Sequence, residues 1–118
     1  MIYIIEDNLW QAEQFGRLLI DNGYEISSFS NGIDAVASID IDKPDVIILD
    51  MLLGGTTGIT LLHELQSYTD TGAIPVVVCT ALADEMTLDQ LTPYGVKRII
   101  DKTTMQPDDI VAAVRSVT

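Results

Sequence analysis

Three acids, a hydroxyl and an amine stand directly behind short apolar runs in this chain of 118 residues. Glu6 and Asp7 follow Ile2 to Ile5. Asp50 follows Val46 to Leu49, the most apolar stretch of the chain. Thr80 follows Ile74 to Cys79, and Lys102 follows Val96 to Ile100 by way of Asp101. One Asp behind an apolar run is ordinarily a turn residue or a helix cap. Four runs that each end on a reactive group form a more specific pattern. If the three carboxylates meet, each pair about 5 Å apart repels by roughly 3 kcal/mol at an effective dielectric near 20, so the cluster calls for a cation. Hard carboxylate oxygens favour Mg²⁺, which takes few protein ligands and keeps waters. Such an ion on Glu6, Asp7 and Asp50 leaves one Asp50 oxygen free as a nucleophile, and a carboxylate nucleophile can form an acyl phosphate. Mg²⁺ and Lys102 would neutralise an incoming phosphoryl group, to which the Thr80 hydroxyl could donate.

The elements that must position these groups are legible in the hydropathy. Ile2 to Ile5, Tyr24 to Phe29, Val46 to Leu49 and Ile74 to Cys79 read as strands, with Val96 to Ile100 as a weaker fifth. Three are nearly continuous in Val and Ile, the pattern of parallel strands covered on both faces. Helical spacing fills the intervals. Ala12, Phe15, Leu18 and Leu19 share one face of Asn8 to Asn22, with Gly23 as the stop. Ile33, Val36 and Ala37 mark a second helix, followed by Pro44. Ile59, Leu62 and Leu65 mark a third, ending near Gln66. Asp84 to Leu91 is a short fourth with Asp84 as its cap. Pro107 opens a fifth that carries Ile110, Val111, Val114 and Val117. Five strand–helix alternations joined by right-handed crossovers give an α/β fold with helices on both sides of an open parallel sheet. In such sheets, ligand sites gather beyond the carboxyl ends of the strands, which is where the five groups stand.

Composition narrows the function. The length suits a single domain, residues 1–118. The formal charge of −12, from 18 acidic and 6 basic residues, argues against direct nucleic-acid binding. It fits a divalent cation or a partner with a basic patch. Cys79 is the lone cysteine and lies inside an apolar run, so it reads as a buried structural thiol with no disulfide to form. No run reaches transmembrane length and no signal peptide is visible, so a cytoplasmic location without membrane contact is expected.

Taken together, Glu6-Asp7, Asp50, Gly58 eight residues beyond it, Thr80-Ala81 and Lys102 resemble the receiver domain of two-component response regulators, over essentially the whole chain. The resemblance implies a flavodoxin-like (βα)5 fold with strand order 2-1-3-4-5. It implies that Asp50 takes a phosphoryl group from a phosphohistidine on a sensor histidine kinase or histidine phosphotransfer protein. Glu6, Asp7, Asp50 and the backbone carbonyl of Leu52 would bind Mg²⁺. Lys102 would contact the phosphoryl group, and Thr80 would move toward it. The face built from the fourth helix, fifth strand and fifth helix would then engage an output domain or target protein. Phosphorylation-dependent dimerisation is left open. The domain would catalyse only its own phosphorylation and dephosphorylation, so it is not expected to be an enzyme in the ordinary sense.

Four positions depart from the family pattern. The switch aromatic three before the lysine is Ile99, which shifts the expected moving part to Thr80 and the loop after it. The lysine is followed by Thr103 where the family has proline. Because Lys102 must still reach Asp50, a cis Lys102–Thr103 bond is expected, although it costs about 2.5–4 kcal/mol without proline. Leu52 and Leu82 replace residues that are often polar near the attacking water, which predicts slow loss of the phosphoryl group. Gly54 replaces a proline, which predicts a mobile loop over Gly54 to Gly58.

Other residues invite plainer readings. His63 reads as an exposed helical residue, Trp10 as a surface or rim residue, and Lys97-Arg98 as solvated charge or a docking contact. The main rival function is a phosphate-independent interaction module on the same fold. A dehalogenase-like phosphatase would want a second Asp where Leu52 stands. A P-loop would want a Gly-rich, Lys-bearing loop after the first strand, and a flavin site would want hydroxyls there, where Glu6-Asp7-Asn8 is found.

Overall fold

The computed structural model describes residues 1–53 and 56–118. Five parallel strands form one sheet: β1 (Ile2–Ile5), β2 (Ile26–Phe29), β3 (Val46–Leu49), β4 (Val76–Thr80) and β5 (Val96–Asp101). Their order across the sheet is β2-β1-β3-β4-β5. The helices that follow the five strands are α1 (Leu9–Asp21), α2 (Gly32–Ile39), α3 (Gly58–Gln66), α4 (Leu88–Leu91) and α5 (Pro107–Val117), and a further single helical turn, Thr69–Gly72, lies between α3 and β4.

Side chains alternate between the two faces of a strand, and here both faces are apolar. Ile2, Ile4, Val46, Ile48, Val77 and Cys79 pack with Phe15 and Leu19 of α1 and with Ile110 and Val114 of α5. Tyr3, Ile5, Ile47, Leu49, Val76 and Val78 pack with Ala35 and Ile39 of α2, Leu62 and Leu65 of α3, and Leu91 of α4. All four residues of β3 are buried. At about 1.5–3 kcal/mol for each fully buried aliphatic side chain, they contribute roughly 6–12 kcal/mol. That exceeds the cost of holding one paired carboxylate at the strand's end, and so a buried Asp50 is tolerated.

Two helices differ from the sequence reading. α2 turns Ala35, Val36 and Ile39 inward, while Ile33 is 83% exposed at its first turn. The stretch expected as one helix from Asp84 is broken. Ala83–Glu85 forms a 3-10 turn, Met86 is extended, and α4 starts afresh from Thr87. The Thr87 hydroxyl accepts from the Gln90 amide N–H at 3.2 Å, and the Gln90 side chain accepts from the Thr87 N–H at 3.0 Å. This reciprocal cap outcompetes Asp84. β2 begins at Ile26, two residues after the expected Tyr24. α1 runs from Leu9 to Asp21, one residue inside the expected Asn8 to Asn22 at each end, because the Asn8 side chain serves as its cap and accepts from the Gln11 N–H at 3.1 Å; Gly23 lies beyond it at a φ of 91° that favours glycine.

Cys79 is 1% exposed, and burial pushes its thiol up to about 12 from the usual 9.0. The folded state therefore holds this proton more tightly than the unfolded chain. The stability linked to it is fully present below pH 9 and is lost as pH rises from about 9 through about 12. Native protein is expected to resist iodoacetamide at neutral pH and to react fully once unfolded in urea, as read by intact mass. Rapid alkylation of the native chain would contradict this.

Candidate functional site

Strand register assembles the site. Ile5 of β1 pairs with Leu49 of β3, so Glu6 and Asp50 leave the sheet side by side. The Asp50 N–H donates to the Ile5 carbonyl at 3.1 Å, and the Glu6 N–H donates to that of Phe29 at 3.0 Å. On the other side Thr80 pairs with Asp101. The Lys102 N–H then donates to the Thr80 carbonyl at 3.1 Å, which starts the lysine side chain at the same rim.

Lys102 Nζ donates to Asp50 Oδ2 at 2.9 Å and also to Glu6 Oε1. The second Glu6 oxygen accepts from the Asn8 N–H at 3.3 Å, and Asp50 Oδ1 accepts from the Leu52 N–H at 3.1 Å. Glu6 and Asp50 are buried, while Asp7 beside them is exposed. One carboxylate oxygen from each of the three lies within 4.8 Å of the others. This all-oxygen set suits a hard divalent cation, with Asp7 on the open side where waters can complete the shell.

Burial pushes the Glu6 carboxyl above its ordinary value, against the hydrogen bond and charge of Lys102. Burial alone would push the Lys102 ammonium down. The hydrogen bonds and charges of Glu6 and Asp50 outweigh it and hold the group above its ordinary value. Lys102 is therefore a fixed positive charge at the site across the neutral range.

Thr80 is fully buried at the end of β4, and its hydroxyl accepts from the Leu82 N–H at 3.2 Å. Leu52 is half exposed and begins a short antiparallel ladder, Leu52–Leu53 with Thr56–Thr57. Ile99 is partly buried in β5 against the α2–α4 side of the core. The structure thus joins Glu6, Asp7, Asp50 and Lys102, and sets Thr80 on the neighbouring strand with its hydroxyl turned to the following loop. The expected mobility around Gly54 falls partly on residues 54 and 55, which lie outside the described residues.

The expected cis bond is absent: the Lys102–Thr103 peptide is trans. Asp101 makes the turn instead. Its carboxylate accepts from the Thr103 N–H at 2.8 Å and from the Thr103 hydroxyl at 2.6 Å, while its carbonyl accepts from the Thr104 and Met105 N–H groups. The Thr103 hydroxyl and N–H hold the Asp101 carboxyl below its ordinary value. An Asp whose side chain bonds two residues ahead is an Asx-turn, and Asp101-Lys102-Thr103 carries that signal in the sequence. The sequence reading also passed over how tightly Gly58 is held. Its N–H donates to the Met51 carbonyl at 2.8 Å, and a Cβ there would lie 3.0 Å from the Asp50 carbonyl oxygen.

A family model described as the response regulator receiver domain matches residues 2–115. The chain is 32% identical over 116 residues to the transcriptional regulatory protein KdpE of Staphylococcus aureus, covering 98% of this chain and 48% of KdpE. It is 34% identical over 116 residues to the phosphate regulon regulator PhoB of Pseudomonas aeruginosa, covering 98% of this chain and 50% of PhoB. Against protein PilH of the same species it is 30% identical over 84 residues, covering 71% of this chain and 69% of PilH. The chain thus spans about half the length of KdpE and PhoB. Among solved structures, a response regulator from Chloroflexus aurantiacus superposes with a TM-score of 0.84 at 25% identity, over 98% of this chain and 94% of that one. The receiver domain of NtrX from Brucella abortus shares the fold, with a TM-score of 0.87 at 22% identity over 99% and 97% of the two chains.

Proposed function

The chain belongs to the response regulator receiver family, the signalling domains of two-component systems, and on that premise we propose that Asp50 is its phosphoryl acceptor. The observation that carries this reading is the convergence of Glu6, Asp7 and Lys102 on Asp50 at the carboxyl end of β3.

An Asp50 carboxylate oxygen attacks the phosphorus of a phosphohistidine on a sensor histidine kinase or phosphotransfer protein. The P–N bond breaks, its electron pair stays on the donor imidazole, and an acyl phosphate forms on Asp50. Lys102 Nζ, now shared between Glu6 and Asp50, is within reach to move onto a phosphoryl oxygen and keep its bond to Glu6. Glu6, Asp7, Asp50 and the Leu52 carbonyl would hold Mg²⁺, whose charge offsets that of the phosphoryl oxygens. The Thr80 hydroxyl would give up the Leu82 N–H and turn to the phosphoryl group, whose oxygen would replace that partner at a buried position. Ile99 is partly buried and packs against the core, which favours Thr80 and the loop after it as the moving part. The altered α4–β5–α5 face then binds an output domain or a separate target protein. A cytoplasmic location belongs to the same reading, since the expected phosphoryl donors act there; no helix among the described residues is long and apolar enough to cross a membrane.

The test is intact-mass analysis after incubation with acetyl phosphate, with and without Mg²⁺, beside Asp50→Asn. One Mg²⁺-dependent phosphoryl adduct, absent from the variant, is expected. Because Leu52 and Leu82 offer no side-chain polar group to orient water and their bulk would shield the phosphoryl group, the adduct should decay slowly, and several-fold faster in Leu52→Ala, which removes part of that shield. Failure to phosphorylate under any condition would favour the phosphate-independent module.

A further inference from the structure

The sheet has a second pole. Helices in this fold run opposite to the strands, so the C-terminal ends of α2 and α3 lie at the edge away from Asp50. A cavity of about 400 Å³ opens between them. Its apolar floor is Val36, Ile39 and Leu65, and Tyr68, 64% exposed, stands at its side. Asp40, Glu64 and Asp70 bring carboxylates to its lining. Only Asp70 has a cation: Lys43 Nζ lies 2.7 Å from its carboxylate. Among the described residues no Lys or Arg pairs with Asp40 or Glu64. The ends of α2 and α3 add the negative poles of two helix dipoles.

We propose that this cavity is a docking site for an arginine side chain presented by a partner protein. Charge complementarity selects the occupant, since the chain carries −12 overall and the lining holds two uncompensated carboxylates. Shape selects arginine over lysine. An aliphatic stem fits the Val36–Ile39–Leu65 floor, and a planar guanidinium can stack on the Tyr68 ring while its fork meets carboxylates. The volume lies at the lower end of the roughly 300–1,000 Å³ of small-ligand pockets, as one long side chain requires. Ile41, next to Asp40 and 90% exposed, offers an apolar contact for residues flanking the arginine. A partner held here leaves the Asp50 rim open, so tethering and phosphoryl transfer can occur together.

The experiment titrates the blocked tripeptide acetyl-Leu-Arg-Leu-amide into ¹⁵N-labelled protein at low salt and follows backbone amide shifts. Saturable shifts centred on residues 39–41 and 64–71 are expected. The double variant Asp40→Asn/Glu64→Gln should weaken binding about five- to tenfold, given charge-assisted bonds discounted for exposure. Both residues are exposed, so the variant should keep the wild-type thermal midpoint, which is measured alongside. Acetyl-Leu-Lys-Leu-amide should bind more weakly, and acetyl-Leu-Glu-Leu-amide should give no saturable shift. Unsaturable shifts spread over the acidic surface, shifts centred on the Asp50 rim, equal binding of the lysine peptide, or an unaffected double variant would each overturn the proposal.

Discussion

Lys102→Met is expected to cost about 3 kcal/mol of folding stability and to remove phosphoryl uptake with it. The side chain is 11% exposed and bridges two carboxylates that are 3% and 8% exposed. Its removal leaves Glu6 and Asp50 facing each other uncompensated. Breaking a buried pair from one side costs about 3–5 kcal/mol, and the low end applies here because the exposed Asp7 marks a side open to water. The linkage has a definite sign. Burial already raises the Glu6 carboxyl against Lys102, so losing Lys102 raises it further. The variant's deficit should therefore shrink as pH falls and Glu6 takes up its proton. Urea midpoints of both proteins across mildly acidic to neutral pH measure this. Added Mg²⁺ should recover part of the deficit. Equal stability of variant and wild type at neutral pH would show that the lysine does not compensate the acids.

Gly58→Val acts on Asp50 from behind. A Cβ at Gly58 would already lie 3.0 Å from the Asp50 carbonyl oxygen and from Met51 Cα and Sδ. Two of these three atoms are backbone and cannot swing aside, and valine adds two methyl groups beyond the Cβ. Overpacking of this kind costs about 1–3 kcal/mol, and the upper end is expected. The strain falls on Asp50 and Met51, so the nucleophile should shift away from Lys102. Phosphorylation by acetyl phosphate should then slow more than the stability loss explains, a difference visible when rates are compared well below the melting midpoint. Gly58→Ala should show a smaller version of both effects. A fully active, equally stable valine variant would mean that α3 can back away at no cost.

The site was largely legible in the sequence because it is a consequence of register. Once Ile2–Ile5, Val46–Leu49 and the run into Thr80 are parallel neighbours, their following residues must share a rim, and periodicity with residue type suffices to say so. Features decided by local competition were harder. Thr87 against Asp84 as a cap is settled by a reciprocal bond to Gln90. The route of Lys102 is settled by the Asp101 turn rather than by an isomer of the peptide bond. Both had a signal in residue spacing that was outweighed by another. The exposure of Ile33 could not be read from spacing alone, because α2 offers two apolar stripes and only the sheet selects between them. His63 is exposed as expected, yet its ring meets that of Tyr94 edge-on at 4.8 Å, a contact between separate segments that no local pattern encodes. The cavity between α2 and α3 is likewise a property of how two helix ends converge.

The bridge from Lys102 to Glu6 spans 96 residues of sequence, and that to Asp50 spans 52. During synthesis the ribosome delivers the acids long before their counter-charge. A nascent chain that has released β1 and β3 but not β5 carries an unneutralised pair of carboxylates at a half-built rim. It also lacks the strand that covers β4. Docking of the last strand and charge neutralisation are then one event, so on the proposed function the chain would gain its phosphoryl-accepting rim only once the whole sheet is assembled. A truncated or stalled product would be silent rather than wrongly active.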